Sequence, residues 1–390
     1  MESIDGLDCY RKYIVTLCTT GKGGAEELKR YIEKYGQLED TEVIPMSVTD
    51  KELLRDNLKH LMTTGVVQCI VGTYDPGMFA IPFLPISEVF GARKESLPRL
   101  LRLEKEAKAK IDYDAMFAYL GEKFGKNNCY ISNWILGNEV NSASGYYYVG
   151  NVSFSKFISM YSEAFRCLYN AVKSSRGSSK VFICLDNCWN QKNAFTICYS
   201  ARSTLESFAA KISDMQKDVN WNLAYHAYNQ PLSDSQFWSG ANASMFTGDA
   251  NTTTFITMRN IQTLTDYVKN RFGSNTRIIL SEQGFSSTYG GQANQAAAIA
   301  LAYYKAACNP MIDAFIIRSY KDEAHEVAQG LAMGLKDTNG KKKTAYNVFK
   351  NMDSSNSLKY TEKVLKSQVG NWKSLVPGYS TGKISSMYRK

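Results

Sequence analysis

Eight apolar runs of single-strand length alternate along this 390-residue chain with stretches of helical spacing. No other feature constrains the fold as strongly. The strand-like runs are residues 13–17 (YIVTL), 42–48, 66–72, 131–136, 180–185, 221–225, 277–280 and 314–317. Helical patterns occupy residues 25–35, 50–63, 100–110, 112–124, 154–173, 201–217, 257–270 and 292–308. Short strands separated by helices of this length imply βαβ units and a parallel sheet, since parallel neighbours need a long crossover. Three units before residue 110 and five after it sum to eight, so the α/β chain is expected to close as a (β/α)8 TIM-type barrel. A doubly wound domain attached to a partial barrel is the competing arrangement.

Composition narrows the function classes. The formal net charge of +9 is a mild excess over this length and lacks the dense basic stripe of a nucleic-acid binder. The basic tail (Lys359, Lys363, Lys366, Lys373, Lys383, Arg389, Lys390) therefore reads as a solvated segment, with Trp372, Leu375 and Val376 packing back on the body. Nine cysteines stand at irregular spacing, mostly inside apolar runs such as VFICLDNCW, and read as buried reduced thiols. Cys184 and Cys188 lack the second pair or nearby His of a tetrahedral metal set, so no metal or organic cofactor is expected. The N-terminal MESIDGLDCYRKYIV has no signal pattern, and no apolar run approaches a membrane span. A cytoplasmic protein without membrane attachment is the expectation.

Barrel enzymes carry their chemistry on loops at the C-terminal ends of the strands. Polar or aromatic clusters follow all five later strands: Asn138-Glu139, Asp186 to Asn190 with Trp189, His226 to Tyr228, Ser281 to Gln283, and Arg318 to Tyr320. Glu139 and Glu282 stand out because each follows an apolar strand directly. Hydrolysis of a glycosidic bond with retention needs one carboxylic acid to protonate the leaving oxygen, and a carboxylate ~5–5.5 Å away to attack the anomeric carbon. Taken singly, each Glu reads more readily as a salt-bridge partner or helix-cap neighbour. Together, with Asn138 beside one and His226 to Tyr228 on the strand between, they read as a catalytic pair. The run Tyr146-Tyr147-Tyr148 reads equally as a sugar platform or a packed loop.

These residues carry a resemblance. Asn-Glu after the fourth strand and Glu after the seventh resemble the pattern of the clan A glycoside hydrolases, which are retaining (β/α)8 barrels. The closer likeness is to a bacterial barrel family of that clan, largely of unknown function. The matching stretches are SNWILGNEVN (132–141), VFICLDNCWN (181–190), LAYHAYNQPL (223–232), IILSEQGFSS (278–287) and residues 313–338, within a span from about Tyr113 to Val376. The resemblance implies Glu139 as acid/base and Glu282 as nucleophile, with Asn138 on the sugar 2-hydroxyl. It implies His226 and Tyr228 lining the cleft, Tyr228 orienting Glu282, and Trp189, Gln283, Arg318 and Tyr320 binding a carbohydrate.

Residues before about 110 depart from that family. YIVTLCTTGKGGAEELKRYIEKY and the strands that follow resemble the IIB-like domain of sugar phosphotransferase systems, as found in bacterial transcriptional regulators. That resemblance implies a phosphoacceptor at Cys18, with Lys22 and backbone N–H groups cradling an anion. The chain thus reads as a composite: residues 1–110 as a βαβαβ segment of doubly wound, flavodoxin-like origin supplying strands 1–3, residues 111–350 as barrel strands 4–8, and residues 351–390 as a C-terminal segment. The junction falls within 100–125. Two functions follow. One is a retaining glycosidase-type site whose activity is reduced or lost because strands 1–3 are foreign. The other is a non-catalytic fusion of a phosphotransferase-type sensor module with a carbohydrate-binding or inactive barrel.

Overall fold

The structure is a computed structural model. It describes residues 66–69, 73–75, 78–79, 107–125, 130–142, 146–147, 152–191, 198–240 and 243–387, with side chains from residue 116 to 384. Cys18 and the expected strands at 13–17 and 42–48 lie outside the described residues.

The chain divides into two compact units, residues 1–185 with 192–222, and residues 186–191 with 223–390. In the first, strands β1 (Val66–Cys69), β4 (Asn133–Leu136) and β5 (Lys180–Leu185) run parallel. Val66 pairs with Asn133, and Asn133 in turn with Lys180. Two short strands, β2 (Thr73–Asp75) and β3 (Met78–Phe79), form an antiparallel pair. Helices α1 (Ala107–Gly125), α2 (Phe154–Ser175) and α3 (Ala201–Met215) belong to this unit. Helix α1 covers the expected helix at 112–124 together with residues 107–110 of the one expected at 100–110, whose first part lies outside the described residues.

Helix α2 starts where Ser153 accepts a hydrogen bond from the Lys156 amide, and α3 where Ser200 does the same for Ser203. Along α2, Phe157, Tyr161, Phe165, Leu168 and Val172 recur at helical spacing and are buried. Their rings mesh edge-to-face with α3 and the start of the next strand: Phe165 meets Phe208 at 4.9 Å, and Phe208 meets Trp221 at 5.6 Å. Close approach of α1 to α2 requires glycine at two places. A Cβ on Gly121 would stand 2.6 Å from the Ala171 carbonyl oxygen, and one on Gly125 2.6 Å from the Ser175 Cβ.

The second unit takes up most of β6 (Trp221–Tyr225), then β7 (Ile278–Gln283) and β8 (Ile312–Ile317), all parallel. Between Leu280 and Gln283, β7 advances three residues while β8 advances two, from Phe315 to Ile317. This bulge falls on Ser281 and Glu282, and bulges re-aim side chains at strand ends. Helices α4 (Ile261–Phe272) and α5 (Gly291–Ala307) follow β6 and β7. Alanines at 296, 297, 298, 300 and 302 leave α5 buried all round. Helices α6 (Ala324–Ala328), α7 (Thr344–Met352), α8 (Ser357–Gln368) and α9 (Thr381–Met387) complete the unit. Tyr304 of α5 shares 2.7 Å hydrogen bonds with Ser357 and Thr361 of α8 and stacks on Trp372 at 5.3 Å. Among the described residues, no helix is long and apolar enough to cross a membrane.

Candidate active site

Each unit brings one of the two glutamates to the C-terminal end of a parallel strand, by different local means. In the first unit β4 ends at Leu136, and the chain turns sharply through Gly137 and Asn138. Gly137 has φ +76, and a Cβ there would lie 2.6 Å from Tyr147 Cε2 and 2.8 Å from Val140 Cγ1, so only glycine fits. Glu139 has φ +41, the one non-glycine in the left-handed region among the described residues. Its amide donates to Cys184 Sγ at 3.4 Å, the Val140 amide to the Cys184 carbonyl at 2.9 Å, and the Ser142 amide to the Glu139 carbonyl at 2.7 Å. The turn is therefore pinned to the end of β5, and Glu139 is buried. Such backbone strain costs on the order of 1–3 kcal/mol and clusters at functional sites. Beside it, Asn138 Oδ1 is buried without a hydrogen-bond partner among the described residues.

Of the tyrosine run, Tyr147 packs into the core against Phe157 and Tyr161, whereas Tyr146 is 45% exposed. Tyr148 lies outside the described residues. Tyr147 is a packed loop residue, because its ring closes over Gly137.

In the second unit Glu282 is held by side chains. Tyr228 donates its hydroxyl to Glu282 Oε1 at 2.5 Å, and Arg318 Nε lies 3.3 Å from the same oxygen. His226 Nδ1 stands 3.7 Å from Oε2, while its Nε2 shares a 3.0 Å hydrogen bond with Ser281 Oγ. His226 is fully buried, so it offers no surface to a cleft, where it was expected to lie. Glu282 keeps a quarter of its side chain exposed, which suits a group that must reach a ligand. Gly284 makes this convergence possible: a Cβ there would meet Tyr228 Cε1 at 2.8 Å and the Arg318 carbonyl oxygen at 3.2 Å.

Arg318 also forms a short ion pair with Glu326, a residue of α6 that sequence reasoning did not single out. Burial works to lower the pKa of its guanidinium, but Tyr228, Glu326 and Glu282 outweigh it and hold the pKa above the ordinary arginine range. Arg318 is a fixed cation joining two carboxylates.

The remaining sequence-predicted residues take other places. Gln283 is buried, its amide donating to the Tyr225 carbonyl at 3.1 Å, so it ties β7 to β6. Trp189 is fully buried, with Nε1 on the Ala250 carbonyl at 2.9 Å and its ring against Tyr267 at 5.1 Å. Trp189, expected to bind carbohydrate, is instead a loop brace, because its ring is buried and its N–H is already engaged. Asn187 reaches the Tyr228 carbonyl at 2.7 Å and steadies the residue that bonds Glu282. Tyr320 is 57% exposed and lies by Lys336 and Tyr346.

The loops that follow β7 and β8 share a buried polar frame. Lys343 Nζ meets Asp322 at 2.8 Å, Ser287 Oγ at 3.0 Å and the Ala332 carbonyl at 3.0 Å, tying together the loops that follow β7 and β8. Gln295 of α5 adds bonds to the carbonyls of Phe285, Met333 and Gly334. Among the described residues no cluster of three His, Cys, Asp or Glu could hold a metal ion.

A family model, a family of unknown function (DUF5722), matches residues 101–375. The chain belongs to this family. Helix α1 and every element from β4 to α8 fall inside the match. A separate likeness covers 89 residues, 22% of the chain, at 32% identity to the transcriptional regulatory protein DagR of Salmonella typhimurium (strain 14028s / SGSC 2262). That stretch spans only 10% of the regulator.

Similar solved structures include a glucosidase from Croceicoccus marinus, at 14% identity and a TM-score of 0.42, covering 61% of this chain and 44% of that one. Xylanase 10B from Thermotoga maritima is 13% identical with a TM-score of 0.38, covering 66% and 67%. A family 39 glycoside hydrolase from Bacteroides cellulosilyticus WH2 is 14% identical with a TM-score of 0.40, covering 62% and 44%. The DUF5722 chain thus spans less than half of the glucosidase it matches.

Proposed function

We propose that the chain is a retaining glycoside hydrolase in which Glu282 is the nucleophile and Glu139 the acid/base. The observation that carries this reading is the setting of Glu282: a part-exposed carboxylate at a strand end, gripped by the Tyr228 hydroxyl at 2.5 Å and by Arg318 at 3.3 Å. A structural carboxylate would ordinarily be spent on one cation. Here two donors fix one oxygen, leaving Oε2 beside His226 for bond formation. In the first half-reaction the Glu139 carboxyl gives its proton to the glycosidic oxygen as the C–O bond breaks, and a Glu282 oxygen bonds the anomeric carbon. In the second, Glu139 takes a proton from water, and the water oxygen displaces Glu282 from the sugar. Asn138 would hydrogen-bond the 2-hydroxyl.

The test is a panel of activated 2-deoxy-2-fluoro glycosides read by peptide mass spectrometry. The expected result is a glycosyl adduct on the Glu282 peptide, absent in Glu282→Gln. Turnover of a matching aryl glycoside should fall roughly 10⁴-fold in Glu282→Gly, and azide should restore it. An adduct on another residue, or a panel of glycosides none of which is cleaved, would sink the assignment.

A second reading draws on the 32% match to a transcriptional regulator. In it, Cys18 accepts a phosphoryl group and the barrel-like part only binds carbohydrate. Phosphoryl transfer onto wild-type chain but not onto Cys18→Ser would favour it.

A further inference from the structure

Beyond β8, the segment that delivers Arg318 to Glu282 continues into a surface cluster that the proposed hydrolysis does not use. Tyr320 and Tyr346 stand with ring centroids 6.4 Å apart, tilted by 57°. Lys336 Nζ lies 4.4 Å from the Tyr320 centroid and 5.8 Å from that of Tyr346, and Lys342 Nζ lies 4.6 Å from Tyr346. The backbone beneath them is stitched: the Lys336 amide donates to the Tyr320 carbonyl at 3.0 Å, and the Asp322 amide to the Lys336 carbonyl at 2.9 Å. Bridges pair Lys336 with Lys321 on one side and with Lys342 on the other. The buried Asp322–Lys343 pair anchors this patch from below.

Two features give the cluster a chemical preference. First, no salt bridge to a carboxylate engages Lys336 or Lys342 among the described residues, so both keep their positive charge, Lys336 against Tyr320 and Tyr346 and Lys342 against Tyr346. Second, Tyr320 remains 57% exposed although Lys336 covers part of its ring. An aromatic face accepts the C–H face of a pyranose, and adjacent ammonium groups accept an anion. The tilted ring pair leaves no parallel slot for a nucleobase, which disfavours a single-stranded nucleic acid.

We propose that Tyr320, Tyr346, Lys336 and Lys342 form a subsite for an anionic saccharide, whose sugar units carry carboxylate or sulfate groups. This deepens the glycosidase reading by naming its substrate class, and rests on that reading only for the subsite's role in turnover.

The test measures binding by the full chain rather than hydrolysis. Affinity electrophoresis and calorimetry would use polygalacturonate as the carboxylated probe, chondroitin sulfate as the sulfated one, and xylan and laminarin as neutral controls. Because the readout is binding and not turnover, a failed nucleophile assignment does not touch this result. Tyr320→Ala and the Lys336→Gln/Lys342→Gln pair should each weaken the preferred anionic probe about tenfold, or about 1.4 kcal/mol. Tyr320→Phe should retain binding. Which probe binds tells carboxylate from sulfate. Unchanged affinity in either variant, or equal binding of all polyanions including oligo-dT with no loss in Tyr320→Ala, would overturn the proposal.

Discussion

Glu139 and Glu282 each end a parallel strand, but the two units hold them differently. Glu139 is placed by its main chain: a left-handed φ of +41, a preceding glycine at +76, and amide bonds to Cys184, all walled by buried Tyr147 and Val140. Glu282 is placed by side chains from other strands and loops, namely Tyr228, Arg318 and His226, themselves steadied by Asn187, Glu326 and Ser281. The surroundings follow suit. The first unit is a mesh of aromatic rings, whereas the second buries ionised and amide groups. Backbone placement is stiff and insensitive to pH; side-chain placement depends on buried charge and can be titrated. Three experiments can break this contrast.

The largest effect is expected at Asp322. Lys343 is 3% and Asp322 5% exposed, and together they tie the loops that follow β7 and β8. Burial pushes the Lys343 ammonium below its ordinary pKa, and Asp322 opposes that push. Removing one partner of a buried pair leaves the other charge uncompensated, costing about 3–5 kcal/mol. Asp322→Ala should therefore lower the urea midpoint sharply. The double change Asp322→Leu/Lys343→Met should recover most of the loss, since apolar replacement of a whole buried pair is often neutral. A single variant as stable as wild type would mean that the second unit does not depend on its polar frame.

The counterpart in the first unit is Gly137→Ala. Alanine would meet Tyr147 and Val140 at 2.6 and 2.8 Å while held at a positive φ. Overpacking of this kind costs typically about 1–3 kcal/mol, with a further contribution from the backbone. The variant should lose stability equally at pH 6 and pH 9, because none of the groups it displaces is charged. A loss that varies with pH would show that the turn is coupled to titrating groups after all.

How far the sequence carried this description depended on the range of the interactions. Strands 180–185 and 221–225 match β5 and β6 to the residue, because unbroken apolar runs between helices leave little freedom. The expected strand 277–280 stops short of β7, which runs to Gln283. The polar Ser281 to Gln283 read as loop, yet Ser281 and Gln283 are buried, Ser281 bonded to His226 and the Gln283 amide N–H to the Tyr225 carbonyl. Similarly, α4 begins at Ile261 and not at 257, since Thr257 and Asn260 bond backbone amides in a turn before the helix. The partnership of Tyr228 with Glu282 was legible only through the resemblance to the clan A pattern. Glu326 was not, because it depends on how the loop after β8 folds back on Arg318. The Asp322–Lys343 pair, 21 residues apart, left no local signal at all. Trp189 misled because a tryptophan at a strand end looks the same in sequence whether its face is open or covered.

The smallest of the three effects is the most direct test of the pH contrast. Lys305 of α5 donates to the Arg259 carbonyl at 2.8 Å. Burial, assisted by the nearby Arg259 charge, lowers its pKa from 10.5 to about 8. Between those values the unfolded chain binds the proton and the folded chain does not, so stability gains with rising pH. Below about 8 both states are protonated and the folded state bears the full cost of burying the charge. Wild type should therefore gain about 1 kcal/mol relative to Lys305→Met between pH 7 and pH 9, read from paired urea melts. The gain should level off as the pH passes the unfolded value near 10.5. Comparison with Lys305→Met removes the contributions of other groups, including Tyr304, whose pKa burial raises and which titrates in the opposite sense. A difference that stays flat over this range would mean that the lysine is solvated in the folded state, and the claim that buried charge makes the second unit pH-sensitive would lose its clearest instance.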